Sequence, residues 1–388
     1  MRNPLSKVVV DIKPSGIRKF FDIVSEMKDA ISLGAGAPDF DTPWHVREEG
    51  IYSLEKGKTF YTSNAGLMEL REEICKYLKR RFNLSYNPKD EVFVTVGGSE
   101  AIDVALRAMV DPGDEVLIPQ PSYVSYLPCV KLTYGVPVPI ELKEENDFKL
   151  TPEELISHIT DKTKILILPF PNNPTGAILE RPLLEEIAKI CVEKDIFVIS
   201  DEIYAELSYN GRHVSIAEMP GMKERTVLIN GFSKAYAMTG WRLGYACAPK
   251  EILQQMLKIH QFAIMCGPTT SQYAAVEALR NGDEDVEAMC RSYNQRRRYL
   301  VNRFKEMGVE CFEPYGAFYI FPSIKKFGMT SEEFATKLLQ EEKVAVVPGT
   351  AFGDCGEGFL RISYAYSLDN LKIALERFER FINKCEKV

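Results

Sequence analysis

Between about residues 90 and 250, short apolar runs alternate with longer helical patterns, and this alternation constrains the fold more than any other feature. The runs have the length and composition of strands that are buried on both faces: Glu91–Val96, Glu115–Ile118, Lys164–Leu168, Ile196–Ser200, Thr226–Ile229 and Gly244–Ala248. Between the third and fourth runs, Leu183–Lys194 places its apolar residues on one helix face. Strands that alternate with helices predict βαβ units, so we expect an α/β protein with a mostly parallel central sheet flanked by helices.

A smaller α+β domain is expected after this region. A long polar helical pattern follows Pro268, Gly316–Phe321 is predicted to be a strand, and two further helical patterns are expected around Val344–Val347 and Leu360–Ser363. The N-terminal segment is rich in Gly and Pro and is assigned to the same domain. The predicted division is a large domain of residues 46–275 and a smaller domain of residues 1–45 and 276–388.

The composition allows a globular enzyme that acts on small molecules. The 388 residues can bury one large core or two ordinary ones, and 48 Lys and Arg against 55 Asp and Glu give a net charge of −7. This charge provides no global positive field for nucleic acid or an acidic membrane. The triplet Arg296–Arg298 is expected to form a solvated or interface face of a helix, so neither nucleic acid nor membrane is predicted as a partner.

The cysteines and histidines indicate a reduced, metal-free protein. The nine cysteines are scattered and no two form a C-x-x-C pair. His45, His158, His213 and His260 are too far apart in sequence to suggest a metal site. The apolar run near the N-terminus is too short for a signal peptide, and no stretch of about 18 apolar residues occurs. We therefore expect a cytoplasmic protein.

Polar residues follow most of the predicted strands, at the point where each strand ends. In chain order they are Gly97-Gly98-Ser99-Glu100, Pro121-Ser122-Tyr123, Asn172-Asn173-Pro174-Thr175-Gly176, Asp201-Glu202-Ile203-Tyr204 and Ser233-Lys234. In an open parallel sheet, ligands bind beyond the carboxyl ends of the strands. A single cleft can therefore collect all of these residues.

Each of these motifs has an ordinary structural explanation when it is taken alone. Gly97-Gly98 is typical of a tight turn, and Asn-Pro-Thr-Gly is a turn sequence. Asp201 is as consistent with a helix N-cap as with a ligand-binding residue, and a lysine such as Lys234 is usually solvated. Only their combination at one sheet edge favours a functional site.

The combination resembles one protein family. Residues 233–244 (SKAYAMTGWRLG) are similar to the lysine signature of the class I aminotransferases, which are fold-type-I pyridoxal-phosphate enzymes of amino acid metabolism. The similarity extends from Ile31–Phe40 to Leu360–Tyr364. The resemblance implies pyridoxal 5'-phosphate as cofactor, an amino acid and a 2-oxo acid as substrates, and a homodimer with active sites at the subunit interface.

The resemblance also implies roles for residues around the cofactor ring. Lys234 would bond to the cofactor aldehyde and move the α-proton of the substrate, because a partly desolvated primary amine can lose its proton. Asp201 would keep the ring nitrogen protonated. Tyr204 and Asn173 would hydrogen-bond the phenolic oxygen, and Tyr123 would stack on the ring.

The implied phosphate site lies where Gly98, Ser99 and Glu100 open a helix, because backbone amides and the helix dipole favour an anion there. Ser233 and the guanidinium of Arg242 would complete this site. Glu100 is itself an anion, so its carboxylate is expected to point away from the phosphate.

Three further residues are matched through the resemblance. Tyr61, in the segment Phe60–Gly66, corresponds to the family tyrosine that reaches the phosphate of the neighbouring subunit. Arg361 corresponds to the arginine that binds the substrate α-carboxylate, with a surface ion pair as the alternative. The backbone of Gly36 would lie close to the same carboxylate, and Tyr123 and Asn173 are also expected to contact substrate.

The amino donor is constrained less well than the cofactor. The segments Ile17–Asp22 and Met27–Gly34 look like archaeal family members that include aspartate and aromatic aminotransferases. Arg107 is a candidate cation for the second carboxylate of a dicarboxylate donor, with a helix arginine facing solvent or the dimer partner as the alternative. Ile17 favours a larger, less polar donor.

The expected reaction is therefore transfer from aspartate to 2-oxoglutarate in a ping-pong cycle of pyridoxal and pyridoxamine phosphate, with aromatic donors as the alternative. A carbon–sulfur lyase is a more distant alternative, because the same cofactor site supports β-elimination. The fold also occurs as a ligand-sensing module of transcription regulators. That module normally has an added DNA-binding domain, for which this chain offers no spare N-terminal segment.

Overall fold

The computed structural model describes residues 2–14, 16, 27 and 29–385, so Ile17 and the rest of Ile17–Asp22 lie outside the described residues. Within them, the helices are α1 (Lys7–Val10), α2 (Trp44–Glu55), α3 (Met68–Phe82), α4 (Gly97–Met109), α5 (Tyr126–Leu132), α6 (Pro152–Ser157), α7 (Arg181–Glu193), α8 (Lys250–Ala263), α9 (Thr269–Asn281), α10 (Asp283–Glu306), α11 (Ser331–Glu342) and α12 (Leu368–Cys385). Short 3₁₀ helices lie at Glu144–Asn146, Ile216–Glu218, Lys223–Arg225, Thr239–Trp241, Lys325–Phe327, Gly349–Phe352 and Asp354–Gly356.

The strands are short, as is usual when helices connect them. They are β1 (Ile31–Ser32), β2 (Val92–Thr95), β3 (Glu115–Gln120), β4 (Val136–Glu141), β5 (Thr163–Leu168), β6 (Phe197–Asp201), β7 (Thr226–Gly231), β8 (Gly244–Cys247), β9 (Tyr319–Ile320), β10 (Val344–Ala345), β11 (Val347–Pro348) and β12 (Leu360–Ser363). All strands predicted between residues 90 and 250 are present. β4 was not predicted, because it lies at the sheet edge, is largely exposed and contains two prolines.

A seven-stranded sheet forms the centre of the molecule, with the order β2-β8-β7-β6-β5-β3-β4. β8 is antiparallel to β2 and β7, and the remaining neighbours are parallel. Phe93 packs with α4 on one face, whereas Val92 and Val94 pack with α3 and α9 on the other. The prediction of an α/β fold with a mostly parallel sheet between helices is therefore confirmed.

The prediction of helices around Val344–Val347 and Leu360–Ser363 is wrong, because both segments form short strands. β10 pairs in parallel with β1, and β12 pairs in antiparallel with both β9 and β11. Every residue of β10 and β12 is buried. A fully buried run of four residues shows neither the helical nor the strand period, so its pairing depends on partners distant in sequence.

A separate apolar core supports a second structural unit after α9. It joins β9, β10 and β12 to α10, α11 and α12, and includes Phe304, Phe334 and Phe378. The division into residues 46–275 and residues 1–45 with 276–388 stays a prediction. A boundary at 275 would cut α9, whose Leu279 packs in the core of the large sheet, so we propose the boundary at Gly282 instead.

The expectation that Arg296 and Arg297 lie on a solvated or interface face is wrong. Both are buried, and only Arg298 of the triplet is exposed. Arg296 donates to Asp39 at 2.7 Å, and Arg297 donates to Glu313 at 2.7 Å. Both partners lie outside the helix that carries the arginines, so a local helical pattern cannot reveal them.

Three further observations concern the protein's environment. Among residues 2–14, 16, 27 and 29–385, no helix has the length and apolarity needed to cross a membrane. The same residues contain no cluster of His, Cys, Asp or Glu suited to hold a metal ion. None of the nine cysteines, all within the described part, forms a disulfide.

Candidate active site

The carboxyl ends of β2, β3, β5, β6 and β7 converge on a cavity of about 510 Å³. Most of the predicted site residues line it: Gly36, Gly98, Ser99, Tyr123, Asn173, Asp201, Tyr204, Ser233, Lys234, Arg242 and Arg361. This convergence follows from the parallel sheet, in which loops after successive strands meet at one edge. Glu100 and Tyr61 do not line the cavity.

Lys234 is a partly buried amine that lines this cavity. Its Nζ donates to the carbonyl oxygen of Gly36 at 2.5 Å. Burial, followed by the positive charges of Arg361 and Arg242, lowers the pKa of Lys234 to about 8, against the opposing effect of Asp201. A substantial fraction of this amine is therefore neutral near pH 8 and can act as a nucleophile or base.

Asp201 ends β6 and is 7% exposed. Its Oδ2 accepts from the hydroxyl of Tyr126 at 2.6 Å, and its Oδ1 accepts from the amide of Ile203 at 3.2 Å. Burial raises the pKa of Asp201, whereas these two hydrogen bonds lower it. The carboxylate is thus held in one orientation at the cavity wall, where it could accept a hydrogen bond from a protonated ring nitrogen.

A pair of tyrosines forms the wall beside Lys234. The hydroxyls of Tyr204 and Tyr319 are 2.8 Å apart, and both rings are buried. Burial raises the pKa of Tyr204 well above its usual value, so the residue stays a neutral phenol. One hydroxyl of the pair donates to the other, so the second O–H can donate a hydrogen bond to an oxygen atom in the cavity.

Arg361 is a guanidinium held between two rings. It is 2% exposed, and its Cζ lies 4.7 Å from the ring centroids of Tyr319 and of Phe352. Nη1 donates to Oδ1 of Asn173 at 3.0 Å, and Nη2 donates to the carbonyl of Gly34. Nε has no hydrogen-bond partner among the described residues. A buried cation of this kind favours a carboxylate ligand, and a surface ion pair is excluded by its burial.

Gly36 has to be a glycine for steric reasons. A Cβ atom at this position would lie 2.7 Å from the Tyr319 hydroxyl and 3.9 Å from Nη1 of Arg361. A side chain there would therefore fill the space between Lys234 and Arg361, where a substrate carboxylate would bind.

The first turn of α4 forms an anion site with Ser233 and Arg242. Gly97 has φ +77°, and a Cβ atom there would lie 2.7 Å from Nη2 of Arg242. The glycine therefore lets the guanidinium approach the helix N-terminus, whose amides have no acceptor within the helix. Two sources of positive potential meet at Gly98 and Ser99, as a phosphate requires.

The carboxylate of Glu100 is directed as expected, away from this anion site. Oε1 accepts from Nδ1 of His260 at 2.5 Å, and Oε2 accepts from the amide of Val96. Glu100 could therefore contribute to cofactor binding only through its backbone and by stabilising the first turn of α4.

Two candidates lie outside the cavity of this chain. Tyr61 is 80% exposed and does not line this cavity, so its predicted contact with a cofactor stays a prediction. Arg107 lies on α4 and pairs with Asp103 at 2.8 Å, with its side chain 44% exposed. This is the solvent-facing alternative, and Arg107 is not available as a second cation within the same chain's cavity.

Comparison with known proteins decides the family. The family model for aminotransferases of class I and II matches residues 28–378. The chain belongs to this family. YugH of Bacillus subtilis, named as an aminotransferase without a stated substrate, is 54% identical over 384 residues, which cover 99% of this chain and 100% of YugH. The aspartate aminotransferase of Pyrococcus abyssi is 48% identical over 96% of this chain and 97% of its own length. The crystal structure of the Pyrococcus horikoshii aromatic aminotransferase is 46% identical, covers 95% of this chain and 100% of its own, and has a TM-score of 0.91.

Class I aminotransferases depend on pyridoxal 5'-phosphate, so this chain is a pyridoxal-phosphate-dependent aminotransferase of fold type I. Its cavity fits the cofactor. Lys234 would provide the amine, Asp201 the buried carboxylate for the ring nitrogen, and the N-terminus of α4 with Arg242 the phosphate site. Tyr123, whose hydroxyl lies 3.4 Å from Oγ of Ser99, also lines this cavity.

Sequence analysis missed several residues of this aminotransferase site. Tyr126 follows Tyr123 by three residues, and Tyr319 lies in a predicted strand, but neither position by itself indicates a polar contact with Asp201 or Tyr204. Phe352 and His260 gave no usable signal, because their partners are distant in sequence. Only the folded chain brings Tyr126 and Tyr319 to the cavity wall. It also places Phe352 against Arg361 and His260 against Glu100.

Proposed function

We propose that this aminotransferase transfers the amino group of aspartate to 2-oxoglutarate in a ping-pong cycle, with the first oxo acid leaving before the acceptor binds. Arg361 carries the proposal, because its unpaired Nε and its position beside Gly36 suit the α-carboxylate that both substrates share. The similarity to the Pyrococcus abyssi aspartate aminotransferase supports aspartate as the donor.

When bound, pyridoxal phosphate withdraws electrons from the substrate's α-carbon. The chain's own residues supply orientation and proton transfer. Nζ of Lys234, with its pKa lowered to about 8, can accept the α-proton and return it. Asp201 would hold the ring nitrogen, and Arg361 would bind the substrate's α-carboxylate.

Aromatic donors are a second candidate, and one observation favours them. In the described part of the chain, the cations that line the cavity are Lys234, Arg242 and Arg361, and each already has a role. The side-chain carboxylate of aspartate would therefore need a cation from another subunit. The rings of Tyr123, Tyr126 and Tyr319 line the same cavity, which suits an apolar donor.

We propose a homodimer as the active species. Phe60 and Tyr61 are each 80% exposed and Phe262 is 87% exposed, which is unusual for side chains of this size. The backbone at Phe60 is nonetheless tied to the start of α9, because Thr269 Oγ1 donates to the carbonyl of Phe60 at 2.7 Å. Sedimentation should give twice the chain mass of 44.0 kDa, and a monomer that retains full activity would contradict the proposal.

The cytoplasm is the proposed compartment. The absence of disulfides among the nine cysteines supports it, since oxidising compartments favour disulfide formation. Cell fractionation with a cytoplasmic marker enzyme would test it, and co-purification with membranes or secreted protein would contradict it.

Single-turnover measurements test the reaction and the donor together. We expect enzyme loaded with pyridoxal phosphate to release one equivalent of oxo acid from aspartate without added 2-oxoglutarate and without ammonia. A faster reaction with tyrosine than with aspartate would identify an aromatic aminotransferase. Catalytic release of ammonia and pyruvate from cysteine would instead indicate a carbon–sulfur lyase.

A further inference from the structure

A buried histidine lies directly behind the phosphate site. His260, near the end of α8, is fully buried, and its ring packs edge-on against Phe93 with centroids 5.3 Å apart. Nδ1 donates to Oε1 of Glu100 at 2.5 Å. Nε2 has no hydrogen-bond partner in the described residues, so Glu100 is the polar contact that the ring makes there.

Glu100 connects this histidine to the start of α4. Its second oxygen accepts from the amide of Val96, the residue that precedes the helix and has no side-chain cap. A helix leaves its first four amides without an internal acceptor. Glu100 satisfies one of them and leaves the amides of Gly97, Gly98 and Ser99 for an anion.

The direction of the Glu100 carboxylate matters for anion binding. A carboxylate in the first turn is attracted to the same free amides and the same helix dipole that attract a phosphate. Without the contact to His260, the side chain would be free to turn towards those amides. It would then compete with the phosphate and repel it.

We propose that His260 is a positioning residue for the cofactor phosphate: by holding Glu100, it orders the first turn of α4 and keeps the carboxylate away from the phosphate amides. If residue 260 only filled the space between α8 and β2, an apolar side chain would serve better. Burying an imidazole there carries the desolvation cost of two ring nitrogens. The proposal rests on the cofactor site and is independent of the amino donor.

The experiment compares two ligands that differ only in the phosphate. Full-length apoenzyme is titrated with pyridoxal phosphate and with pyridoxal. His260→Phe keeps an aromatic ring but is larger, whereas His260→Leu is closer to histidine in volume without a ring. Both remove the donor, so one remains usable if the other fails to fold. Each should bind pyridoxal phosphate about tenfold more weakly, because a hydrogen bond to a charged group is lost, while its affinity for pyridoxal should not change. His260→Asn, which retains an N–H near the position of Nδ1, should recover most of the loss.

Two controls separate positioning from general damage to the fold. Leu253→Ala removes a buried apolar side chain from the same helix and should leave the ratio of the two affinities unchanged. In a Glu100→Gln background, His260→Phe should have little further effect, because the competing charge is gone. Equal weakening of both ligands, an unchanged affinity for pyridoxal phosphate, or the same tenfold loss in the Glu100→Gln background would each overturn the proposal.

Discussion

Lys234→Ala should lower turnover with any amino donor by about 10⁴-fold or more, because the variant loses both the covalent attachment and the proton-transfer group. Nζ of Lys234 is the amine whose pKa falls to about 8 within this cavity. Binding of pyridoxal phosphate should stay measurable, since Asp201 and the first turn of α4 are untouched. Steady-state rates and equilibrium dialysis of the cofactor check the two halves of this prediction.

Lys250→Ala is the matched control for this substitution. Lys250 opens α8, pairs with Asp90 at 3.1 Å and has a side chain that is 52% exposed, so its loss should leave turnover nearly unchanged. A small primary amine added to Lys234→Ala should restore part of the rate, because it can accept the α-proton in place of Nζ. Full activity of Lys234→Ala without added amine would show that another residue carries the cofactor.

Arg361→Lys should lower kcat/KM for the amino acid by about a hundredfold, because an ammonium cannot reproduce the two-point contact of a guanidinium with a carboxylate. The single ammonium of lysine would also lose the hydrogen bond that Arg361 donates to Asn173 or the one that it donates to Gly34. Cofactor binding should be unaffected, since the proposal assigns Arg361 to the substrate carboxylate and not to the cofactor. The measurement is kcat/KM for aspartate and tyrosine beside the affinity for pyridoxal phosphate.

Arg380→Lys provides the comparison for Arg361. Arg380 also donates two hydrogen bonds to one carboxylate, that of Glu342, but its side chain is 59% exposed. Exposed ion pairs contribute little, so this variant should retain its kcat/KM. If Arg361→Lys behaved like Arg380→Lys, the assignment of Arg361 to the substrate carboxylate would be wrong.

The position of Gly98, Asp201 and Lys234 at one cavity could be predicted from the sequence, because each lies at or shortly after the end of a strand. Asp201 ends β6, and Lys234 comes shortly after β7, so a parallel sheet alone places them at one edge. The short strands β10 and β12 were predicted as helices because four buried residues carry no period. Arg107 was proposed as a substrate cation, but α4 directs it to Asp103 and solvent.

The sequence by itself determined the α/β alternation, the strand ends that bear the site, and the family, because these depend on local periodicity and on a contiguous motif around Lys234. Only the tertiary structure decided which side chains contact and orient the site residues. Tyr126 meets Asp201 across 75 residues of chain, Tyr319 meets Tyr204 across 115, and His260 meets Glu100 across 160. Such contacts are selected by the packing of whole helices and strands, and no local pattern encodes the distance between two side chains so far apart in sequence.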